Sequence, residues 1–280
     1  MTKFSRFSPN NQLKGYIHGY WLLQTSNVPK QIELVPDGYP EILFVRQGAL
    51  WYRLGNSTTW QRFSGCGMLG QLGGQFQIYI PAYSEILFVK FHPWAVYPLL
   101  RTPMHLLNNG IVELAGLGLK QEWKNLSYSL TCAENIRVCC KLLNRFFLEY
   151  LNTPHSVSPL LHFSVQTIFH SGGVVSLDQL KGQLNVSHRY LQRLFKQRLG
   201  LSPKHYARII RVKKASINML NPDRNQPLVQ IAAELNYFDQ SHFLKDFKSI
   251  VGKSPTTFLR QEREFSPEAL AIYLQQWVYS

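Results

Sequence analysis

Cysteine is scarce in this chain, and so is negative charge. Four cysteines stand in 280 residues, at Cys66, Cys132, Cys139 and Cys140. None forms a C-x-x-C pair, and two are adjacent, a poor geometry for a metal or an ordinary disulfide. A disulfide framework and a zinc cluster are therefore not expected, and the thiols read as reduced and cytosolic. "VCCKLL" lies on an amphipathic stretch, so Cys139 and Cys140 read as small seam residues rather than reactive ones. The first half offers His18, His92 and His105 with no closely spaced pair and no obvious carboxylate partner, so neither metal nor other cofactor is expected. Gly-rich "GCGMLGQLGG" lacks the Lys-Ser/Thr of a phosphate loop and follows no βαβ pattern. No apolar run reaches the roughly 18 residues needed to span a bilayer. "MTKFSRFSPNNQLKG" has no apolar core, so no signal peptide is expected and the location is cytoplasmic.

Against these absences stands an excess of positive charge. Lys and Arg number 30 against 16 Asp and Glu, a formal charge of +14. Between Gly172 and Arg260 there are 15 basic and 5 acidic residues, a net of +10, so most of the excess lies in the C-terminal third. Such a balance points to a polyanionic partner, nucleic acid before a membrane surface. With 45% hydrophobic residues the chain has enough apolar side chains for two folded domains.

The first 100 residues read as short strands. "IHGYWLLQTS" (17–26), "EILFVRQGALWYRL" (41–54), "QFQIYIP" (75–81) and "EILFVKFH" (85–92) are separated by turn signals at 36–38, 55–56, 65–67 and 73–74. This predicts an antiparallel barrel or sandwich, cupin-like, over 15–95. Helices are predicted over 95–151. The last, 131–151, carries a stripe of Ala133, Ile136, Cys140, Leu143, Phe147 and Tyr150, with Thr131 and Glu134 as a capping box. The stripe predicts a helix that packs on the barrel or pairs with a second copy of the chain. "NTPHSVSP" (152–159) reads as a linker.

After the linker the chain repeats itself. Residues 176–206 match 227–258: Leu177, Leu180, Leu184 and Asn185 correspond to Leu228, Ile231, Leu235 and Asn236. After one inserted residue, Leu191, Phe195, Gly200 and Ser202–Pro203 correspond to Phe243, Phe247, Gly252 and Ser254–Pro255. Each copy predicts a short helix, a tight turn plugged by Val186 or Tyr237, an N-cap at Ser187 or Asp239, and a second helix ended by Gly. Ser-Pro then opens the next element. Two short helices joined by a tight turn, the second basic outside, predict a helix-turn-helix at 176–198 and another at 227–250.

The outer faces carry the chemistry. Arg189, Gln192 and Arg193 in the first copy, and Gln240, Ser241 and Lys245 in the second, are the predicted base readers. Arg suits guanine O6/N7 and Gln suits adenine N6/N7. Lys196 and Lys248 are predicted phosphate contacts. So are Arg208, Arg211, Lys213 and Lys214 on the uninterrupted helical stretch 203–220 between the copies.

Residues 160–262 resemble the AraC/XylS family of transcription regulators, most specifically in "SHRYLQRLFKQRLGLSPKHYARIIRVKKA" and "IAAELNYFDQSHFLKDFKSIVGKSPTTFLR". The resemblance implies a seven-helix DNA-binding domain touching two successive major-groove segments, with the six base readers just named at its reading positions. Asn185 and Asn236 stand where the family usually has Gly, and Lys181 where it has a small residue. "ELVPDGYPEILFV" and "LFVKFHPWAVYPLL" resemble one variety of sensor domain. The expected fold class is therefore α+β multidomain. A sensor or dimerisation domain (1–151) is followed by the linker, the all-α double helix-turn-helix domain (160–262), and a helical extension (263–280) capped at Ser266.

The function that follows is a sequence-specific transcription regulator, an effector-responsive activator, not an enzyme. Its partners are double-stranded DNA, a small-molecule effector held among the barrel aromatics, a second copy of the chain and RNA polymerase. The alternatives are an enzyme or transferase fused to a DNA-binding domain, and a constitutive regulator whose N-terminal domain only dimerises.

Overall fold

The computed structural model describes residues 2–55, 57–118, 121–151, 157–221 and 226–262. Among these residues ten strands form two antiparallel sheets. Strands β1 (Lys3–Phe7), β2 (Ile17–Gln24), β4 (Glu41–Gln47), β7 (Cys66–Leu69), β9 (Glu85–Phe91) and β10 (Ile111–Glu113) make the larger, in the order β1-β2-β9-β4-β7-β10. Strands β3 (Lys30–Leu34), β5 (Leu50–Leu54), β6 (Gln61–Phe63) and β8 (Phe76–Ile80) make the smaller, in the order β3-β8-β5-β6. The arrangement is a sandwich and not a closed barrel. Among the described residues ten α-helices follow β9: α1 (Val96–Leu100), α2 (Gln121–Cys132), α3 (Ile136–Leu151), α4 (Pro159–His170), α5 (Leu177–Leu184), α6 (His188–Arg198), α7 (Pro203–Leu220), α8 (Leu228–Glu234), α9 (Gln240–Val251) and α10 (Pro255–Glu262).

The apolar runs of β2, β4 and β9 have a simple cause: these strands are covered on both faces. Trp21, Leu23, Leu43, Ile86 and Phe88 meet Leu50, Tyr52, Phe76, Ile78 and Ile80 of the smaller sheet. The alternate residues Tyr20, Leu22, Ile42, Phe44, Leu87, Val89 and Phe91 pack under helices, with Cys139, Leu143 and Phe147 of α3 fully buried among them. Aromatic and branched side chains line the space between the sheets, where an effector pocket was expected. A groove of about 420 Å³ lies along edge strand β1, lined by Lys3, Ser5, Arg46, Glu85 and the α2–α3 turn.

Several local expectations are corrected. The run 41–54 breaks at Gly48 into β4 and β5, which belong to different sheets. Strands β1, β3, β6, β7 and β10 are short and carry weak period-2 signals, and β10 lies inside the stretch expected to be helical. Residues 131–151 are not one helix. Thr131 bonds Ser127 O within α2, while Asn135 caps α3 by accepting from the Arg137 and Val138 amides. Arg46 clamps the break, donating to Leu130 O and Ala133 O while paired with Glu85. The buried stripe is therefore Cys139–Leu143–Phe147, one residue off at Cys140. Of the expected linker, residues 152–156 lie outside the described residues; Ser158 caps α4 by accepting from the Leu161 amide. The expected extension 263–280 also lies outside them.

The two halves share one core. The cluster beneath the larger sheet continues without a break through Leu161, Val165 and Ile168 of α4 to Leu191, Leu194 and Phe195 of α6 and Tyr206 and Ile210 of α7. Beside it runs a polar seam. The turn Asp37–Gly38–Tyr39, between β3 and β4, presses on α7. Lys90 Nζ donates to Asp37 at 2.6 Å and Glu41 at 2.9 Å, and Lys213 Nζ lies 4.7 Å from the Tyr39 ring centre and 4.9 Å from that of Phe169. Gly38 has φ +83, and a Cβ there would meet Ile210 Cδ1 at 2.8 Å, so only Gly fits. Further along the seam Asn108 donates to Gly200 O, His205 bonds Gly73 O, and Lys253 pairs with Glu33.

Burial sets the protonation of this seam. It opposes charge on Lys90, yet Asp37 and Glu41 outweigh it and hold the ammonium more firmly than in water. Lys213, whose burial is less fully offset by Asp37, is lowered to about 7, with Lys90 adding repulsion. Burial lowers His18 to about 2, helped by Lys90, His92, Arg6 and Lys213, and lowers His92 to about 4 despite its bond to Lys14 O. Both imidazoles are therefore neutral in the fold. Because their folded values lie below the ordinary 6.5, the unfolded chain binds more protons at acid pH. Stability is expected to fall as pH drops from about 6.5 through about 4, each unit of depression being worth about 1.4 kcal/mol. Ring NMR titration checks the cause: at pH 5.5 His18 and His92 stay neutral while an ordinary exposed imidazole is protonated, and protonation of both by then would refute it.

Candidate nucleic-acid interface

Both repeats fold as the spacing dictates. In the first, the Ser176 hydroxyl accepts from the Gln179 amide, α5 ends at Asn185 with φ +51, and the Ser187 hydroxyl accepts from the Tyr190 amide to open α6. In the second, α8 is followed by Asn236 with φ +55, and Asp239 accepts from the His242 amide at 2.6 Å to open α9. Asparagine tolerates the left-handed region better than other non-glycine residues, which is why the turn closes without Gly. The plugs differ in depth: Val186 is half-buried, and Tyr237 is buried with its hydroxyl donating to Asp246 at 2.9 Å.

Helix α7 joins the units as one 18-residue rod, about 27 Å long at 1.5 Å per residue. Tyr206, Ala207 and Ile210 face the core shared with the first unit, and Ile209, Val212, Ala215 and Leu220 face that of the second. The N-terminal half touches both units. The turn 104–106 packs on α6, Gln197 donates to the Tyr97 hydroxyl, and Val35 enters the core of the second unit.

The expected base readers divide cleanly from the buried faces. Arg189 and Arg193 are exposed on α6, as are Gln240, Ser241 and Lys245 on α9, while Leu191, Phe195, Phe243 and Phe247 are buried. Gln192 is half-buried and its amide meets the His188 ring at 3.0 Å. Arg193 lies 5.7 Å from the Tyr190 ring centre. His188 and Tyr190 were missed in the sequence, although their spacing of four and three residues to Gln192 and Arg193 places them on the reading face. A cleft of about 750 Å³ separates the units, with Arg208 and Arg211 of α7 and His242 and Lys245 of α9 in its walls.

The expected phosphate contacts divide less favourably. Lys196, Lys248 and Lys214 are exposed. Lys213 is corrected: it is 2% exposed and points into the seam, because positions 206, 210 and 213 share one helical stripe. Arg208 donates to Asp246 at 2.6 Å and to Ser249, and Arg211 donates to Gly173 O. In this arrangement both arginines brace the domain.

Residues 180–261 match the family model for a helix-turn-helix domain. The C-terminal third is an AraC-type helix-turn-helix domain. Residues 5–113 match a domain of unknown function, DUF6597. Among curated relatives, the Msm operon regulatory protein of Streptococcus mutans is 28% identical over 134 residues, 47% of this chain and 48% of that protein. The HTH-type transcriptional regulator GbdR of Pseudomonas aeruginosa is 30% identical over 100 residues, 36% of this chain and 26% of that protein. The chain thus spans under half the length of the curated relatives it matches. Among solved structures, the C-terminal domain of AraT from Geobacillus stearothermophilus is 34% identical over 39% of this chain and 90% of that one, with a TM-score of 0.35. ToxT of Vibrio cholerae is 13% identical over 93% of this chain and 97% of that one, with a TM-score of 0.47. Both scores lie below 0.5, and the fold stands on its own elements. Among the described residues no helix is long and apolar enough to cross a membrane, and no His, Cys, Asp and Glu cluster could hold a metal.

The AraC-type domain depends on the Arg208–Asp246–Tyr237 network to hold α9 against α7. Asp246→Ala is expected to cost about 2 kcal/mol, since it strips a buried hydroxyl of its acceptor and a charged donor of its partner. Arg208 keeps a third of its side chain in water, which limits the loss. An unchanged urea midpoint would show that packing alone holds the unit.

Proposed function

We propose that the chain is a sequence-specific DNA-binding transcription regulator that reads two adjacent major-groove segments, and that it is an effector-responsive activator. The observation that carries the reading is the pair of capped second helices, α6 and α9, each buried on one face and polar and basic on the other, tied to one rigid α7. The major groove admits one such helix, and the exposed Arg189, Arg193 and Gln240 offer the donor and acceptor patterns that distinguish bases. The matched regulators and the charge of the C-terminal third support it; no enzymatic role is proposed.

Effector response belongs to the seam in this reading. The N-terminal half grips α7 and both units, so a ligand that favours a different seam changes DNA affinity by its differential binding to the two arrangements. The apolar side chains that meet between the sheets support a second reading, a constitutive regulator whose N-terminal half only braces and pairs the DNA-binding domain. Selection of DNA from a random pool, with and without cell extract, separates them: an extract-dependent affinity supports the effector, and identical affinity the constitutive form.

Arg193→Ala is expected to cost about 1–3 kcal/mol and to relax preference at one base pair. Lys196→Ala is expected to weaken all sequences alike and to flatten the salt dependence. Titrations at two salt concentrations against the selected site and single-base variants check both. If the two substitutions behave alike, Arg193 does not read a base.

A further inference from the structure

The most exposed large apolar side chain among the described residues is Phe238, at 91%. It sits immediately before the α9 N-cap, Asp239. An aromatic at that position ordinarily folds back on the fourth residue of the helix as a hydrophobic staple. Here that residue is Phe243, which is fully buried and already covered by Tyr237 at 5.3 Å and Phe247 at 5.8 Å between ring centres. Asn236 is left-handed, Tyr237 turns inward to Asp246, and Phe238 turns outward. Its ring therefore stands at the N-terminal end of the second recognition helix, beside exposed Gln240 and Ser241.

That end of a recognition helix is the one that meets base edges. In the major groove the apolar feature to meet is the thymine 5-methyl group, for which Phe is a suitable partner. The exposed side chains along α9 are Gln240, Ser241, His242, Lys245, Lys248 and Ser249, polar or basic throughout, with the Asp239 carboxylate occupied in the cap, so this face suits DNA better than an apolar protein surface. Resting on the regulator reading above, we propose that Phe238 is a specificity determinant that reads a thymine methyl group in the second half-site.

Replacing single thymines of the selected site by deoxyuridine removes only the methyl group. For the full-length chain, one such replacement is expected to weaken binding about fourfold, the value of one buried methyl-sized group. Phe238→Ala binds the two oligonucleotides equally, and Phe238→Leu retains part of the difference. The exposed ring contributes nothing to the core, and an unchanged circular dichroism spectrum confirms that the variant is folded. A second half-site without thymine, or a uracil series in which wild type and Phe238→Ala lose affinity in parallel, overturns the proposal while leaving the regulator reading intact. Failure to select any sequence overturns that reading itself, before uracil is introduced.

Discussion

The arrangement rests on how one lysine is buried. Lys213 sits in the middle of α7 with almost no access to water, and an ammonium group in such a place needs compensation. The Asp37–Gly38–Tyr39 turn supplies part of it, with a carboxylate, the Asp37 carbonyl at 3.4 Å and the face of an aromatic ring, and burial still lowers the group to about 7. The turn is held in its own right, because Lys90 pairs with Asp37 and Glu41, and Gln71 donates to Gly38 O at 2.8 Å. Tyr39 thereby lies near two lysine amino groups, one from each half of the chain. Since α7 carries both helix-turn-helix units, whatever fixes α7 against the turn fixes where both recognition helices point.

The seam differs in kind from the cores it joins. Within the sandwich and within each unit, the buried contacts are mostly apolar and close-packed, with the Arg208–Asp246–Tyr237 network an exception, which makes those parts stiff. Across the seam, Lys213, Lys90, Asp37, Glu41, His18, His92, His205 and Asn108 meet, and such contacts are costly when half-made. A polar junction between two stiff bodies has a small number of good arrangements, the kind of element whose equilibrium a ligand biases. The continuous apolar cluster through α4 and α6 limits how far the halves separate.

Much of the DNA-binding domain was legible because its rules are local. Capping at Ser176, Ser187 and Asp239, the Asn turns and the 191/195 and 243/247 pairs depend on residues within a few positions of one another, and the repeat showed all but the Ser176 cap twice. The N-terminal half was less legible. Strands such as Lys3–Phe7 and Gln61–Phe63 exist because a partner strand pairs with them, so their own residues carry little signal. The α2–α3 break was hidden because Arg46, some ninety residues away, holds it. Among the candidate contacts, Lys213 was misplaced for a similar reason: its basic character was visible, but its place against the 37–39 turn was not, nor were the partners Asp246 and Gly173 that hold Arg208 and Arg211. Phe238 was overlooked because an aromatic before an N-cap ordinarily belongs to the core.

By itself the sequence determined the charge asymmetry, the duplicated helix-turn-helix with its caps and turns, and the separation of reading face from buried face. These follow from helical periodicity and from the conformational preferences of Ser, Asp, Asn, Gly and Pro. Only the tertiary structure decided that the strands form two sheets, which apolar residues meet between them, that α7 is gripped by a turn from the other half, and which basic side chains remain in solvent. Long-range pairing decides these matters: a side chain's charge is local, but whether water or a carboxylate from a distant segment satisfies it depends on the packing of the whole chain.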